Sequence, residues 1–218
     1  MNPKKVFQSS VPSMIFFYRQ LQAGARPIQE GLVSPADGKI LAFENTQALQ
    51  QFFVKGLPFT IEGFLKDQDL AQTYAGASLV IIRLAPPDYH RFHFPDDGHV
   101  LASWRIPGAL HSVNPWALTF REDIFMINER QVTILETHQF GKLAYVEVGA
   151  TCVGKIKQTY TGDAFARGDE KGMFLFGGST VIVIGEKGRW EIDAGILGHT
   201  TNGVETYLKM GQALGQAM

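Results

Sequence analysis

The sequence predicts a mainly β (α+β) fold: a single compact antiparallel β-rich domain with peripheral helices and an N-terminal amphipathic helix. Three observations carry this. Short runs rich in Val, Ile and Leu recur along the chain, separated by turn residues. Gly 23 and Pro 10 supply many turns. Helical periodicity is confined to a few short stretches.

Taken in order, Met14–Tyr18 and Leu21 give an apolar stripe behind Lys4 and Lys5, and the spacing predicts a helix over 13–22. Lys39–Glu44 follows the Pro-Ala-Asp-Gly turn and reads as a strand. Thr60–Leu65 reads as a short helix. Ser78–Leu84, His99–Ile106, Gln131–Thr137, Leu143–Val148, Val153–Ile156 and Ser179–Ile184 read as strands. Gly141-Lys142 and Glu186–Arg189 read as hairpin turns, and Val204–Leu214 as a short terminal helix. Residues 1–27 form an N-terminal segment and 28–218 the main domain.

Composition narrows the function. The 218 residues can bury about 70% of their unfolded surface, enough for a core without staples. Lys plus Arg number 20 against 21 Asp plus Glu, so the basic excess of a nucleic-acid binder is missing. One cysteine forms no intrachain disulfide, which fits a reducing compartment. The run Ser78–Ala85 is too short for a spanning helix and carries Arg83. The N-terminal lysines and aromatics fit either a helix docked on the core or a segment lying in a membrane interface.

Four clusters could carry chemistry. Ser34-Pro35-Ala36-Asp37-Gly38 is a turn with one carboxylate. In Asp88–Gly98, His90 and His93 stand three apart among aromatics, either as a solvated loop or as proton-transfer groups. His111, His138 and His199 add no metal-ligand spacing, so no metal site is assigned. Arg105–Pro115 reads as structural turns. In Phe174–Ile184, Gly177 and Gly178 precede Ser179 and a β-run. This is either a bulge at a strand start or a reactive serine behind an attackable carbonyl.

Together and in this order, the clusters resemble the phosphatidylserine decarboxylase family. The likeness rests on Ser34–Gly38, Tyr89–His93, Arg105–Gly108 with Ser112–Pro115, and Asn128-Glu129-Arg130. Val148–Thr151, Gly177–Thr180 and the tail Asn202–Thr206 with Lys209–Gly211 extend it over residues 28–215. The resemblance implies a self-processing proenzyme. Ser179 attacks the Gly178 carbonyl, the chain breaks into 1–178 and 179–218, and Ser179 becomes a pyruvoyl group. It implies a triad in which Asp37 orients, His93 is the base and Ser179 attacks. It assigns His90 the proton transfer of decarboxylation.

The implied substrate is phosphatidylserine and the implied product phosphatidylethanolamine. The same cofactor acting on a soluble amino acid or another serine phospholipid is the alternative, and a non-catalytic β-rich binding module a third reading. Implied partners are a peripheral membrane surface on the cytoplasmic side of the cell membrane, the two cleavage products held together, and a second copy of the chain as a homodimer. No nucleic acid is implied.

Overall fold

The computed structural model describes residues 19–45, 48–49, 59–113, 123–150, 156–175 and 179–218. Its centre is an eight-stranded sheet, antiparallel throughout. The strands, numbered along the chain, are β2 (Gly38–Phe43), β3 (Ser78–Leu84), β5 (Gly98–Ile106), β6 (Arg130–Thr137), β7 (Gly141–Val148), β9 (Ala164–Phe165), β11 (Ser179–Gly185) and β13 (Thr206–Leu208). They lie in the order β13-β2-β3-β11-β7-β6-β5-β9. Two three-stranded sheets flank it. One joins β1 (Leu32–Val33), β14 (Ala213–Ala217) and β12 (Trp190–Ile192), in the order β1-β14-β12. The other joins β4 (Arg91–His93), β10 (Glu170–Phe174) and β8 (Ile156–Gln158), in the order β4-β10-β8.

The apolar runs become the sheet's interior because they are buried on both faces, so they do not alternate. β11 is buried at every position, and β3 at all but Ser78 and Arg83. β11 lies between β3 and β7, with Ser179 opposite Leu84 and Ile184 opposite Leu79 and Ala144. β5 is exposed at His99, Leu101, Ala102, Ser103 and Arg105.

Helices sit at the periphery. α1 (Ile61–Leu65) starts at Thr60, whose hydroxyl accepts from the Gly63 N–H. α2 (Gln68–Thr73) is capped by Asp67 in the same way, α3 (Ile124–Ile127) is a single turn, and α4 (Ala194–Thr201) is capped by Asp193. Among the described residues no helix is long and apolar enough to cross a membrane.

The predicted strands 39–44, 78–84, 99–106, 131–137, 143–148 and 179–184 are all present within a residue or two at each end. The helix predicted over 60–65 is α1. Of the strand predicted over 153–156, only Ile156 is described, and it opens β8. The helix predicted over 13–22 lies mostly outside the described residues, and 19–22 are irregular. The terminal helix predicted over 204–214 is a correction. The helix lies earlier, at Ala194–Thr201, and the tail is extended. Gly211 sits at φ +88°, which stops helical propagation, and the tail's backbone groups pair instead with β2, β1 and β12.

Candidate active site

The Ser34–Gly38 turn is a junction. Its Pro35 carbonyl accepts from the His93 N–H at 2.8 Å, tying it to β4. Ser34 N–H donates to the Gln212 carbonyl at 2.7 Å, and Gly211 N–H donates back to the Ser34 carbonyl at 2.9 Å. The Ser34 hydroxyl closes the turn on the Ala36 carbonyl. The turn thus binds the histidine strand on one side and the C-terminal tail on the other.

Asp37 is buried in this junction. Arg26 grips it with Nε on Oδ1 at 2.9 Å and Nη2 on Oδ2 at 2.5 Å, and the Met210 N–H donates to Oδ1 at 2.8 Å. Among the described residues its hydrogen bonds are all to these two partners, and none goes to His93.

β4 sorts its side chains by alternation. Phe92 enters the core, 4.9 Å from the Phe174 ring and 6.3 Å from the Tyr145 ring. Arg91 pairs with Glu170 at 2.8 Å, and Glu170 lies opposite His93 in register. Gly172 follows on β10 because a Cβ there would overlap the Phe92 ring and the Lys157 carbonyl.

His93 is buried, and both ring nitrogens are engaged. Nδ1 lies 2.9 Å from the Gly168 carbonyl and Nε2 lies 3.2 Å from the Tyr89 hydroxyl. Gly168 adopts φ +86°, a left-handed conformation that glycine accepts without strain, and so aims its carbonyl at the ring. A carbonyl only accepts, so Nδ1 carries the hydrogen and Nε2 the lone pair. Burial lowers the His93 pKa from 6.5, which keeps the ring neutral near pH 7. The charges of Glu170 and Asp37 oppose this shift more weakly. Tyr89 stacks on His93 with centroids 5.8 Å apart, and burial, with the charge of Glu170, pushes its phenol up to about 12. A pocket of ≈ 370 Å³ opens over Tyr89 and His93, walled by Leu21, Arg26, Ile28, Glu170 and Met210 among others.

His90 is fully buried, and its Nδ1 lies 2.9 Å from the Asp88 carbonyl, which sets the same tautomer. The His90 carbonyl accepts from the Phe174 N–H at 2.9 Å.

Ser179 opens β11. It is fully buried, and its hydroxyl has no hydrogen-bond partner among the described residues. Two anchors bracket it. Phe174 is tied to His90 before it, and Leu84 faces it across the ladder. From Leu84 the chain turns through Ala85–Asp88, closed by the Asp88 N–H on the Ala85 carbonyl, straight into Tyr89 and His90. The fold therefore gathers Asp37, His90, His93 and Ser179 at one end of the central sheet. No hydrogen bond links Asp37, His93 and Ser179 into a chain. Gly178, the other residue of the expected cut, lies outside the described residues, as do Phe176 and Gly177.

Sequence reasoning gave no role to Arg26, Tyr89, Gly168 or Met210, and each touches a site residue here. Tyr89 and Met210 stand inside motifs quoted for the resemblance. Arg26 and Gly168 lie outside them, and their partners are 11 and 75 residues away. The Asn128-Glu129-Arg130 motif is a brace. Asn128 donates to the carbonyls of Gly149 and His111 at 2.7 and 2.8 Å. Arg130 donates to the carbonyls of Phe64, Met126, Asn128 and Gly63.

Residues 14–216 match the family profile described as phosphatidylserine decarboxylase. Proteins named phosphatidylserine decarboxylase proenzyme align over most of the chain. The one from Fusobacterium nucleatum is 48% identical over 204 residues, 92% of this chain and 68% of its own length. That from Chlamydia trachomatis is 46% identical over 205 residues, 92% and 68%. That from Clostridium novyi is 45% identical over 204 residues, 92% and 69%. With the profile covering nearly the whole chain and identities of this size, the protein belongs to the phosphatidylserine decarboxylase family.

Proposed function

We propose that this chain cuts itself between Gly178 and Ser179 and then converts phosphatidylserine to phosphatidylethanolamine and CO₂. The single observation that carries the reading is Ser179 itself. In a member of this family, a serine at the first position of a fully buried strand holds a hydroxyl without a hydrogen-bond partner among the described residues. A buried hydroxyl left unpaired costs about 1–3 kcal/mol, so its persistence asks for a use.

The residues present fit a pyruvoyl group made from Ser179, because the hydroxyl is not committed to any structural bond among the described residues. Self-processing begins with His93 as the base. Its ring is neutral near pH 7, with the lone pair on Nε2. The Ser179 oxygen attacks the Gly178 carbonyl carbon, and the bond from that carbon to the Ser179 nitrogen breaks as the nitrogen takes the proton back. An ester joins the two residues at this stage. Loss of the Ser179 Cα proton expels the Gly178 carboxylate, and water then replaces the nitrogen, which leaves as ammonia. Asp37 supports the site by its negative charge and by tying Arg26 and Met210 to the turn that carries it.

When formed, the pyruvoyl group supplies an electron sink for the pair left behind by CO₂. His90, with Nδ1–H held on the Asp88 carbonyl, takes up a proton from solvent at Nε2 and delivers it to the substrate carbon that has lost CO₂. The 1–178 and 179–218 pieces stay together, because β11 is buried between β3 and β7 whether or not the peptide bond is intact. The chain works peripherally at the cytoplasmic face of the cell membrane, with Lys4, Lys5 and the aromatics of 14–18 as the contact. Residues 1–18 lie outside the described residues.

A denaturing mass spectrum of the purified wild-type chain tests the reading. Two pieces are expected, the smaller beginning at a pyruvoyl-capped position 179 and trapped by a primary amine with borohydride. A single chain of full mass without carbonyl reactivity overturns it. Ser179→Ala is expected to stay whole. Replacing Phe16 and Phe17 with serine is expected to weaken flotation with anionic vesicles, and unchanged flotation would move the lipid contact elsewhere.

A further inference from the structure

We propose that Asp88 positions His90 for proton transfer, and that Tyr207, on the downstream piece, latches Asp88 in place. The inference deepens the decarboxylation reading above and rests on its assignment of the proton transfer to His90.

The turn before His90 has few ways to hold itself. It runs Ala85-Pro86-Pro87-Asp88, and neither proline has an N–H to donate. Its two N–H groups are spent within the turn. Asp88 N–H donates to the Ala85 carbonyl at 2.9 Å, and Ala85 N–H donates to Asp88 Oδ2 at 2.7 Å. The Asp88 carbonyl accepts Nδ1–H of His90 at 2.9 Å. One residue therefore clamps the turn with its side chain and aims the imidazole with its main chain. With the hydrogen kept on Nδ1, Nε2 is the nitrogen that takes up and delivers the proton.

The downstream piece grips this turn and the strand that leads into it. Tyr207 in β13 donates to Asp88 Oδ1 at 3.2 Å, so both carboxylate oxygens are used, one for the turn and one for the other cleavage product. Two residues before Tyr207, Glu205 accepts from Arg83 Nε and Nη2 at 3.0 and 2.7 Å, and Arg83 stands two residues before Ala85. β13 is itself fixed on β2, with Tyr207 opposite Lys39 and Thr206 opposite Ile40. Burial and the charge of Asp88 push the Tyr207 phenol up to about 12, so it stays a donor near pH 7. A proton-transfer group misplaced by ~1 Å can lose about 10²-fold in rate, which is the use of a clamp built from both pieces.

The test uses processed enzyme and phosphatidylserine in detergent micelles, with kcat expressed per cut chain as counted by mass spectrometry. Asp88→Ala is expected to lose about 10²-fold in kcat, with KM within about twofold of wild type. Tyr207→Phe removes one bond of the clamp and is expected to lose about two- to tenfold in kcat. Asp88→Asn keeps an acceptor for the Ala85 N–H and is expected to fall between wild type and Asp88→Ala. It takes the place of Asp88→Ala where melting shows that the latter does not fold.

Histidines labelled with ¹⁵N give the second readout, the His90 signals being those absent from His90→Ala. Wild type is expected to carry hydrogen on His90 Nδ1 alone, and Asp88→Ala to show a mixture of the two tautomers. A wild-type kcat in Asp88→Ala overturns the proposal. So does a lowered kcat with the His90 tautomer unchanged, since Asp88 then acts elsewhere. An unchanged kcat in Tyr207→Phe overturns the latch. A fully active His90→Ala overturns the decarboxylation reading and the proposal together, whereas an impaired His90→Ala beside a fully active Asp88→Ala overturns the proposal alone.

Discussion

Arg26 holds both oxygens of Asp37, and the third donor to that carboxylate is the Met210 backbone. The arrangement joins the chain before β1, the Ser34–Gly38 turn and the tail after β13. Met210 belongs to the piece downstream of the proposed cut, and Arg26 and Asp37 belong to the upstream piece. The carboxylate is therefore a stitch across the two products, in addition to any influence on His93. A planar guanidinium matches both oxygens at once, which a lysine does not.

Asp37→Asn removes the charge and leaves a part-buried arginine uncompensated. Bonds to charged groups contribute about 1.5–3 kcal/mol each, and a loss of that order is expected in urea unfolding. The processed variant should also release residues 179–218 at lower urea than wild type does. Arg26→Lys should recover only part of the stability. Equal urea midpoints for wild type and Asp37→Asn would remove the stitch.

His90→Ala and His93→Ala should fail at different stages. His93→Ala is expected to remain a single chain, because no base serves Ser179. His90→Ala is expected to be cut normally and to decarboxylate about 10²–10⁴-fold more slowly. Mass spectrometry reads the first and CO₂ release the second. A processed His93→Ala chain, or a fully active His90→Ala enzyme, contradicts the assignment.

Self-processing should be insensitive to pH near 7 and fall only below the ordinary histidine value of 6.5. Burial lowers the His93 pKa, so the base stays available to more acid pH than a solvated imidazole would. The stability linkage has the same sign. The advantage of the neutral buried ring is present above the unfolded pKa and is lost as pH falls through the folded one. Time courses between pH 5 and 8 check this. A midpoint above 6.5 would mean that the charges of Glu170 and Asp37 outweigh burial.

Lys171 and Glu147 form a fully buried pair at 2.6 Å, with Gln158 accepting from the same ammonium at 2.8 Å. The ammonium also lies 4.8 Å from the Tyr145 ring centroid. Lys171→Met alone should cost about 3–5 kcal/mol, because Glu147 is left as an uncompensated buried charge. Adding Glu147→Leu should restore most of that loss. Chemical denaturation of the single and double variants measures it. Equal stability of the two variants would show that Glu147 is already neutral without its partner.

The sequence by itself determined the strands of the large sheet. Ser78–Leu84 and Ser179–Ile184 are continuous apolar runs, and such runs are stable only where both faces are covered. The order of motifs determined the family, and with it which aspartate, histidines and serine to examine. The weakly apolar strands escaped notice. β4 and β10 carry Arg91, His93, Glu170 and Lys171, whose burial depends on partners far along the chain. The tail was misjudged because its backbone bonds are made to β1, β2 and β12, and local periodicity does not report such bonds. Tertiary structure alone decided what each polar group touches. Asp37 faces Arg26 and Met210, and His93 stands between the Gly168 carbonyl and the Tyr89 phenol. The physical reason is that a hydrogen bond depends on ångström-scale placement of both partners, and residues 75 apart acquire that placement only when the sheets close.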